Sequence, residues 1–196
     1  MDELTLAAYD ANPKGFADTW HAQSDPAEMY ELVRRFFHQG EPSADIGCGA
    51  GRDTAWLNTN GYPAVGYDPS AALLLEARRR HPGVEFVRDC LPELASVGEG
   101  TFANVLCETV IMHLPVAEVA PSVHRLLRLL RPGGILYLSW RVADTCRRDD
   151  RGRLYSAVDV TRVLDALDGT VIKFSEQYAS TSSGASIQTI VAERAK

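Results

Sequence analysis

The stretch "ADIGCGAGRDTAW", residues Ala44–Trp56, decides the fold. Gly47, Gly49 and Gly51 alternate with Cys48 and Ala50; Asp45 stands two residues ahead of the first glycine, and a helix-like run opens at Arg52. Glycines spaced this way let the backbone come close to a ligand before the chain turns into a helix. A dinucleotide-binding turn needs G-x-G-x-x-G, with the pyrophosphate on the helix N-terminus. Counted from Gly47, the third glycine of that pattern falls on Arg52, which breaks it. The loop alone leaves two readings open: a variant pyrophosphate site, or a ligand with no phosphate.

The residues downstream narrow the choice. "PAVGYD" is a short apolar run ending in Asp68, and "GVEFVRD" is another ending in Asp89. An acid at the end of the second strand can accept both hydroxyls of an adenosine ribose. An acid at the end of the third can accept the exocyclic amine of adenine. Apolar runs at Ser43–Gly47, "TFANVLCET", "ILYLSW", "TVIKFSEQY" and "ASIQTIVAER" complete seven predicted strands. Helical patterns alternate with the first five: Arg52–Asn60, "SAALLLEARRRH", "VAEVAPSVHRLLRLLRPGG" and "SAVDVTRVLDAL". This alternation predicts an α/β fold with a mostly parallel sheet. Only "STSSG" separates the last two strands, too little for a parallel crossover, so the sheet ends in an antiparallel strand. "SDPAEMYELVRRFF" predicts a helix capped by Ser24 or Asp25 and started by Pro26. Residues 1–40 read as a helical cap, and 41–196 as the ligand-binding core of a single domain.

Whole-chain properties bound the function. The chain has 196 residues, 45% hydrophobic and 23% charged, with a formal net charge of −6. That charge argues against tracking a nucleic-acid backbone. No apolar run is long enough to span a bilayer, and the acidic N-terminus lacks a signal pattern, so a cytoplasmic protein is expected. Cys48, Cys90, Cys107 and Cys146 form no C-x-x-C pair and read as reduced thiols. No metal-ligand spacing is visible.

Taken together, "DIGCGAG", "VGYDPS", "FVRDCLPEL" and "LLRPGGILYLSW" resemble, in order, the motifs of class I S-adenosylmethionine-dependent methyltransferases. The resemblance covers roughly residues 40–195. "YDANPKGFADTW" and "RDDRGRLYSAVDVTRVLDAL" resemble a bacterial small-molecule branch of that family. It implies a Rossmann-like fold and S-adenosylmethionine, a sulfonium without phosphate, as cofactor. It also implies that Asp45, Gly47 and Gly49 receive the amino-acid end, Asp68 the ribose, and that Asp89 and Cys90 flank the adenine. Cys48, Gly51, Arg52, Pro69 and Leu91 are further implied cofactor contacts, and Glu108, Thr109 and Val110 line the cleft. The sequence departs from the family in one place: Ser43 and Ala44 stand where bulky residues usually precede the first acid. Singly, Asp45 is equally a turn cap, Asp68 an N-cap, and Arg52 and Asp53 ordinary helix-starting residues; the joint pattern carries the assignment.

The acceptor is less legible. "CETVIMHLP" lacks the proline-rich motif of enzymes that methylate adenine or glutamine amides, which points to a small molecule. His113 is the candidate base, or else a packing histidine. Arg141, Arg147, Arg148, Arg151 and Arg153 cluster after the fifth strand. They read as an anion site, or as a solvated loop neutralised by Asp144, Asp149 and Asp150. Tyr9, Phe16, Trp20 and Tyr30 either shape an acceptor pocket or pack the cap. Beside methyl transfer stand a non-methylating use of the cofactor, such as cyclisation of its amino-acid chain, and a non-catalytic binding module. A nicotinamide oxidoreductase is disfavoured by Arg52.

Overall fold

The apolar runs "FANVLC" and "ILYLSW" are buried on both faces, as central strands flanked by helices must be, whereas "TVIKFSEQY" lies exposed at the sheet edge. In the computed structural model, which describes residues 1–181 and 184–196, seven strands form one sheet. They are β1 (Ser43–Ile46), β2 (Ala64–Asp68), β3 (Glu85–Arg88), β4 (Phe102–Cys107), β5 (Leu130–Arg141), β8 (Thr170–Ala179) and β9 (Ser186–Arg194). Between them, β6 (Arg147–Arg148) and β7 (Leu154–Tyr155) make a small separate hairpin. The sheet order is β3-β2-β1-β4-β5-β9-β8; the first five strands are parallel, and β9 runs antiparallel to both its neighbours. The predicted turn at "STSSG" includes residues 182 and 183, which lie outside the described residues.

Pleat alternation distributes side chains between two cores. On β5, Leu136, Leu138 and Trp140 pack with α6 (Val116–Leu129) and α7 (Val160–Ala166). Ile135 and Tyr137 face the other way, toward α3 (Ala27–Phe36) and α4 (Arg52–Thr59). α5 (Ala71–Arg80) closes the β3 end through Leu74, Ala77 and Phe86. The weak first strand has a compensation: Asn104 of β4 donates to Ser43 Oγ (3.0 Å) and to the His38 carbonyl (2.9 Å), so small polar groups replace apolar bulk there.

The cap holds two further helices, α1 (Glu3–Ala11) and α2 (Pro13–Ala22). Asp2 and Asn12 cap them by accepting from Thr5 N–H and Gly15 N–H. The predicted cap of α3 is corrected: Pro26 is its N-cap, and no side chain bonds there. The strand order reverses between β1 and β4, and the crevice outside their C-terminal ends is where open α/β sheets generally bind ligands.

Candidate active site

The glycine loop sits at that crevice. Gly47, Gly49 and Gly51 all have positive φ (78°, 54° and 81°), which other residues rarely adopt. Close packing adds a second constraint: a Cβ on Gly47 would lie 2.3 Å from Val110 Cγ2, and one on Gly49 2.9 Å from the Trp20 ring. Asp68 holds the loop from the end of β2. Its carboxylate accepts from Gly49 N–H (2.9 Å) and Ser70 N–H (2.8 Å), and burial pushes its pKa up to about 6.

A cavity opens above the loop, with about 1180 Å³ of empty space counting its open mouth. Of the expected cofactor residues, Gly47, Cys48, Gly49, Arg52, Asp68, Pro69, Glu108 and Thr109 line it. Arg52 pairs with Asp53 through Nε (2.9 Å) and Nη2 (3.0 Å), and its Nη1 reaches the Trp20 carbonyl (3.3 Å). Glu108 accepts from Ser139 Oγ, and burial raises its carboxyl to about 7. Thr109 has φ of 54°, and its N–H is held by both the carbonyl and the hydroxyl of Ser139 at 3.1 Å. Such strain in a non-glycine residue persists only where its surroundings enforce it.

Several expected site residues do not line the cavity. Asp45 lies under the loop, where it accepts from Thr54 Oγ1 (2.6 Å) and so ties the start of α4 to β1; burial raises it to about 7. Gly51 is the left-handed cap of α4, packed against Phe86. Asp89 is turned back onto its own loop, accepting from Cys90 N–H (2.8 Å), Ser96 N–H (2.8 Å) and Ser96 Oγ (2.6 Å). Leu91 is core, and its carbonyl receives the Met1 ammonium (3.3 Å). Cys90 is half-buried beside it. Tyr30 stacks on Trp56 at 3.8 Å and donates to Asp53 (2.8 Å), so it positions that acid from the cap.

The other wall carries Tyr9, Trp20, His113, Arg141, Arg153 and Tyr155. Arg147 and Arg148 are exposed and outside it. Arg147 lies over the Tyr155 ring, and Arg148 pairs with Asp2 through two contacts of 2.8 Å. Arg153, not singled out from the cluster by sequence, is paired with Asp149 (2.7 Å). Its position two residues before Tyr155 was the available signal, since alternate residues of an extended segment share a face. Arg141 ends β5. Its Nε is buried without a hydrogen-bond partner, and no ion pair reaches its guanidinium among the described residues. Among the described residues no three His, Cys, Asp or Glu side chains gather as metal ligands, and no helix is long and apolar enough to cross a membrane.

A family model described as a methyltransferase domain matches residues 44–134. A ubiquinone biosynthesis O-methyltransferase of Alkalilimnicola ehrlichii is 29% identical over 66% of this chain and 51% of its own length. A trans-aconitate 2-methyltransferase of Acidovorax sp. is 37% identical over 54% of this chain and 41% of its own. The chain spans about half the length of the curated relatives it matches. The solved 1,6-didemethyltoxoflavin-N1-methyltransferase of Burkholderia thailandensis, with bound 1,6-didemethyltoxoflavin and S-adenosylhomocysteine, shares the fold. The TM-score is 0.79 at 19% identity, covering 98% of this chain and 88% of that one.

Proposed function

Because the chain belongs to the class I S-adenosylmethionine-dependent methyltransferases, we propose that it moves the sulfonium methyl of S-adenosylmethionine to a small anionic acceptor held by Arg141. The cavity residues fit that cofactor. Asp53, Asp68 and Glu108 face a ligand bearing an ammonium and two ribose hydroxyls. Asp68 makes one hydrogen bond per oxygen within the protein, leaving a lone pair on each for a ribose hydroxyl. The glycines leave room for backbone contact at the amino-acid end. When bound, the cofactor supplies an electrophilic methyl group on positively charged sulfur. The protein's share is largely positioning, which does not require a metal.

The observation that carries the anionic acceptor is the unpartnered Arg141. Arg141 is half-buried, but its Nε is cut off from water and unpartnered, and an anion in the cavity would supply that contact. Arg153 is already balanced by Asp149. The relative named for trans-aconitate, a polycarboxylate, is in keeping with this reading.

The test is a panel of small carboxylates, trans-aconitate among them, incubated with protein and S-adenosylmethionine and analysed by mass spectrometry. At least one carboxylate should be methylated, with S-adenosylhomocysteine as co-product. A charge-assisted contact is worth about 1.5–3 kcal/mol, so Arg141→Ala should raise the acceptor KM roughly 10- to 100-fold. S-adenosylmethionine affinity should stay unchanged, and Arg147→Ala should alter neither value. An Arg141→Ala protein with untouched acceptor kinetics refutes the anionic acceptor. Methylthioadenosine without methylated acceptor refutes methyl transfer itself.

A further inference from the structure

His113 is buried in the cavity wall with both ring nitrogens engaged. Nδ1 lies 2.6 Å from the Leu154 carbonyl oxygen. A carbonyl only accepts, so Nδ1 carries the proton and Nε2 is a bare acceptor. The Tyr9 hydroxyl, 3.1 Å away, therefore donates to Nε2. The Tyr9 oxygen is in turn approached by Arg153 Nη1 at 3.4 Å, and Asp149 fixes Arg153. Three segments distant in sequence thus set one donor direction: α1, the turn Ile111–His113 after β4, and the β6–β7 hairpin. Tyr9, His113 and the unpartnered Arg141 all line the same cavity.

We propose that Tyr9 and His113 form a proton relay that takes the proton of an acceptor hydroxyl as the methyl arrives. The acceptor is then a hydroxy acid or phenolic acid, methylated on oxygen, with its carboxylate on Arg141. This rests on the anionic-acceptor reading above. The O–CH3 bond forms as the methyl–sulfur bond breaks, and that bond's electron pair stays on sulfur. The acceptor O–H proton passes to the Tyr9 oxygen, and the proton of Tyr9 passes to His113 Nε2. One cation, the sulfonium, disappears while another, the imidazolium, forms, so the charge of the cavity is conserved. The charged and titratable groups around His113 are Tyr9 from α1, Arg141 from β5, and Asp149, Arg153 and Tyr155 from the hairpin. Burial, with Arg153 and Arg141 nearby, pulls His113 down to about 4, although the Leu154 carbonyl opposes this. The ring is neutral at physiological pH with its Nε2 lone pair free to accept; burial makes the imidazolium costly, and the disappearance of the sulfonium charge as the methyl leaves offsets part of that cost. Burial raises Tyr9 to about 12, so it relays a proton without standing as a phenolate.

Tyr9→Phe and His113→Gln in the full chain test the relay through two readouts. The first is nitrogen-resolved NMR of the histidines with S-adenosylhomocysteine bound. His113 should show the Nδ1–H tautomer, and Tyr9→Phe should raise its pKa by removing the donor that favours the neutral ring. The second is kinetics with phenolic acids of graded hydroxyl acidity, such as 4-hydroxybenzoate and 3,4-dihydroxybenzoate, against trans-aconitate, which has no hydroxyl. General acid–base help is worth about 10²–10⁴-fold, so kcat should fall by that order in both variants while acceptor KM moves little. The loss should shrink as the hydroxyl becomes more acidic. Three results overturn the relay: an Nε2–H tautomer, a loss independent of hydroxyl acidity, or trans-aconitate methylated as fast as any hydroxy acid. The last would leave Arg141 as anion anchor intact. Conversely, Arg141→Ala without effect beside a large Tyr9→Phe loss overturns the carboxylate half alone.

Discussion

Removing the Asp68 carboxylate should weaken the protein in two separable ways. The side chain is buried at the end of β2 and accepts from Gly49 N–H and Ser70 N–H. Asp68→Ala strips both donors of their acceptor. A buried unsatisfied group costs about 1–3 kcal/mol, but Gly49 borders the cavity, where water can replace the lost oxygen. The total loss of stability should therefore lie near ~1–3 kcal/mol rather than at the sum of two full penalties. The second effect falls on the cofactor. Losing charge-assisted contacts to the ribose hydroxyls should cost about 1.5–3 kcal/mol, or roughly 10- to 100-fold in Kd. Calorimetric titration with S-adenosylhomocysteine, beside a thermal melt of each protein, separates the two. Asp68→Asn keeps one acceptor oxygen and should fall between. A folded Asp68→Ala protein that binds S-adenosylhomocysteine as the wild type does would falsify the placement of the cofactor at this strand edge.

Gly47→Ala should reduce cofactor affinity at least about tenfold, measured by the same titration, because the left-handed conformation alone costs roughly 1–2 kcal/mol and the new Cβ meets Val110. Asp45, Asp68 and Glu108 have folded pKa values of about 7, 6 and 7, above the ordinary carboxylate range. At these three groups the native state binds more protons than the unfolded one between about pH 4 and 7, so their contribution to stability falls as pH rises through that window, opposed in part by His113, whose lowered pKa acts in the other direction. The melting temperature of the ligand-free protein should climb on acidification from pH 7.5 toward 5.5, and an Asp68→Asn/Glu108→Gln double variant should flatten the climb. EDTA should leave methyl transfer unchanged; activity lost on chelation and restored by magnesium would count against a metal-free site.

The sheet was legible because a parallel strand buried on both faces must be mostly apolar, and "ANVLC" and "ILYLSW" meet that demand apart from Asn104 and Ser139, whose polar groups are hydrogen-bonded inside. The glycine loop was legible because left-handed backbone at Gly47 and Gly49 leaves a mark on the sequence itself. Side-chain direction was not. Asp45 and Asp68 both stand at strand ends next to the loop, yet only Asp68 reaches the cavity. Asp45 precedes the last residue of β1 and is taken up by Thr54, whereas Asp68 is the last residue of β2 and bends over the crevice. Asp89 has the right position at the end of β3, but Ser96 supplies two donors that turn its carboxylate onto its own loop. No spacing rule anticipates a donor seven residues away.

The arginine cluster shows the same limit, and why it falls on the acceptor rather than on the cofactor. The glycine loop proposed to hold one end of the cofactor is a continuous segment, so its signature is local. The far wall is assembled from α1, α2, the turn after β4, the end of β5, and a hairpin with two residues per strand, too short to show any period. Five arginines between Arg141 and Arg153 look alike in sequence. What separates them is what each one meets: Asp2 for Arg148, Asp149 for Arg153, aromatic rings for the exposed Arg147 and Arg151, and no carboxylate among the described residues for Arg141, which of those three is the one lining the cavity. Those partners depend on how the N-terminus packs, which local spacing cannot report. The unpartnered charge at the cavity wall is a property of the folded whole, and the proposed acceptor rests on it. If Arg141 anchors an anion beside the proposed Tyr9–His113 relay, the acceptor brings its own negative charge and keeps one proton to give away.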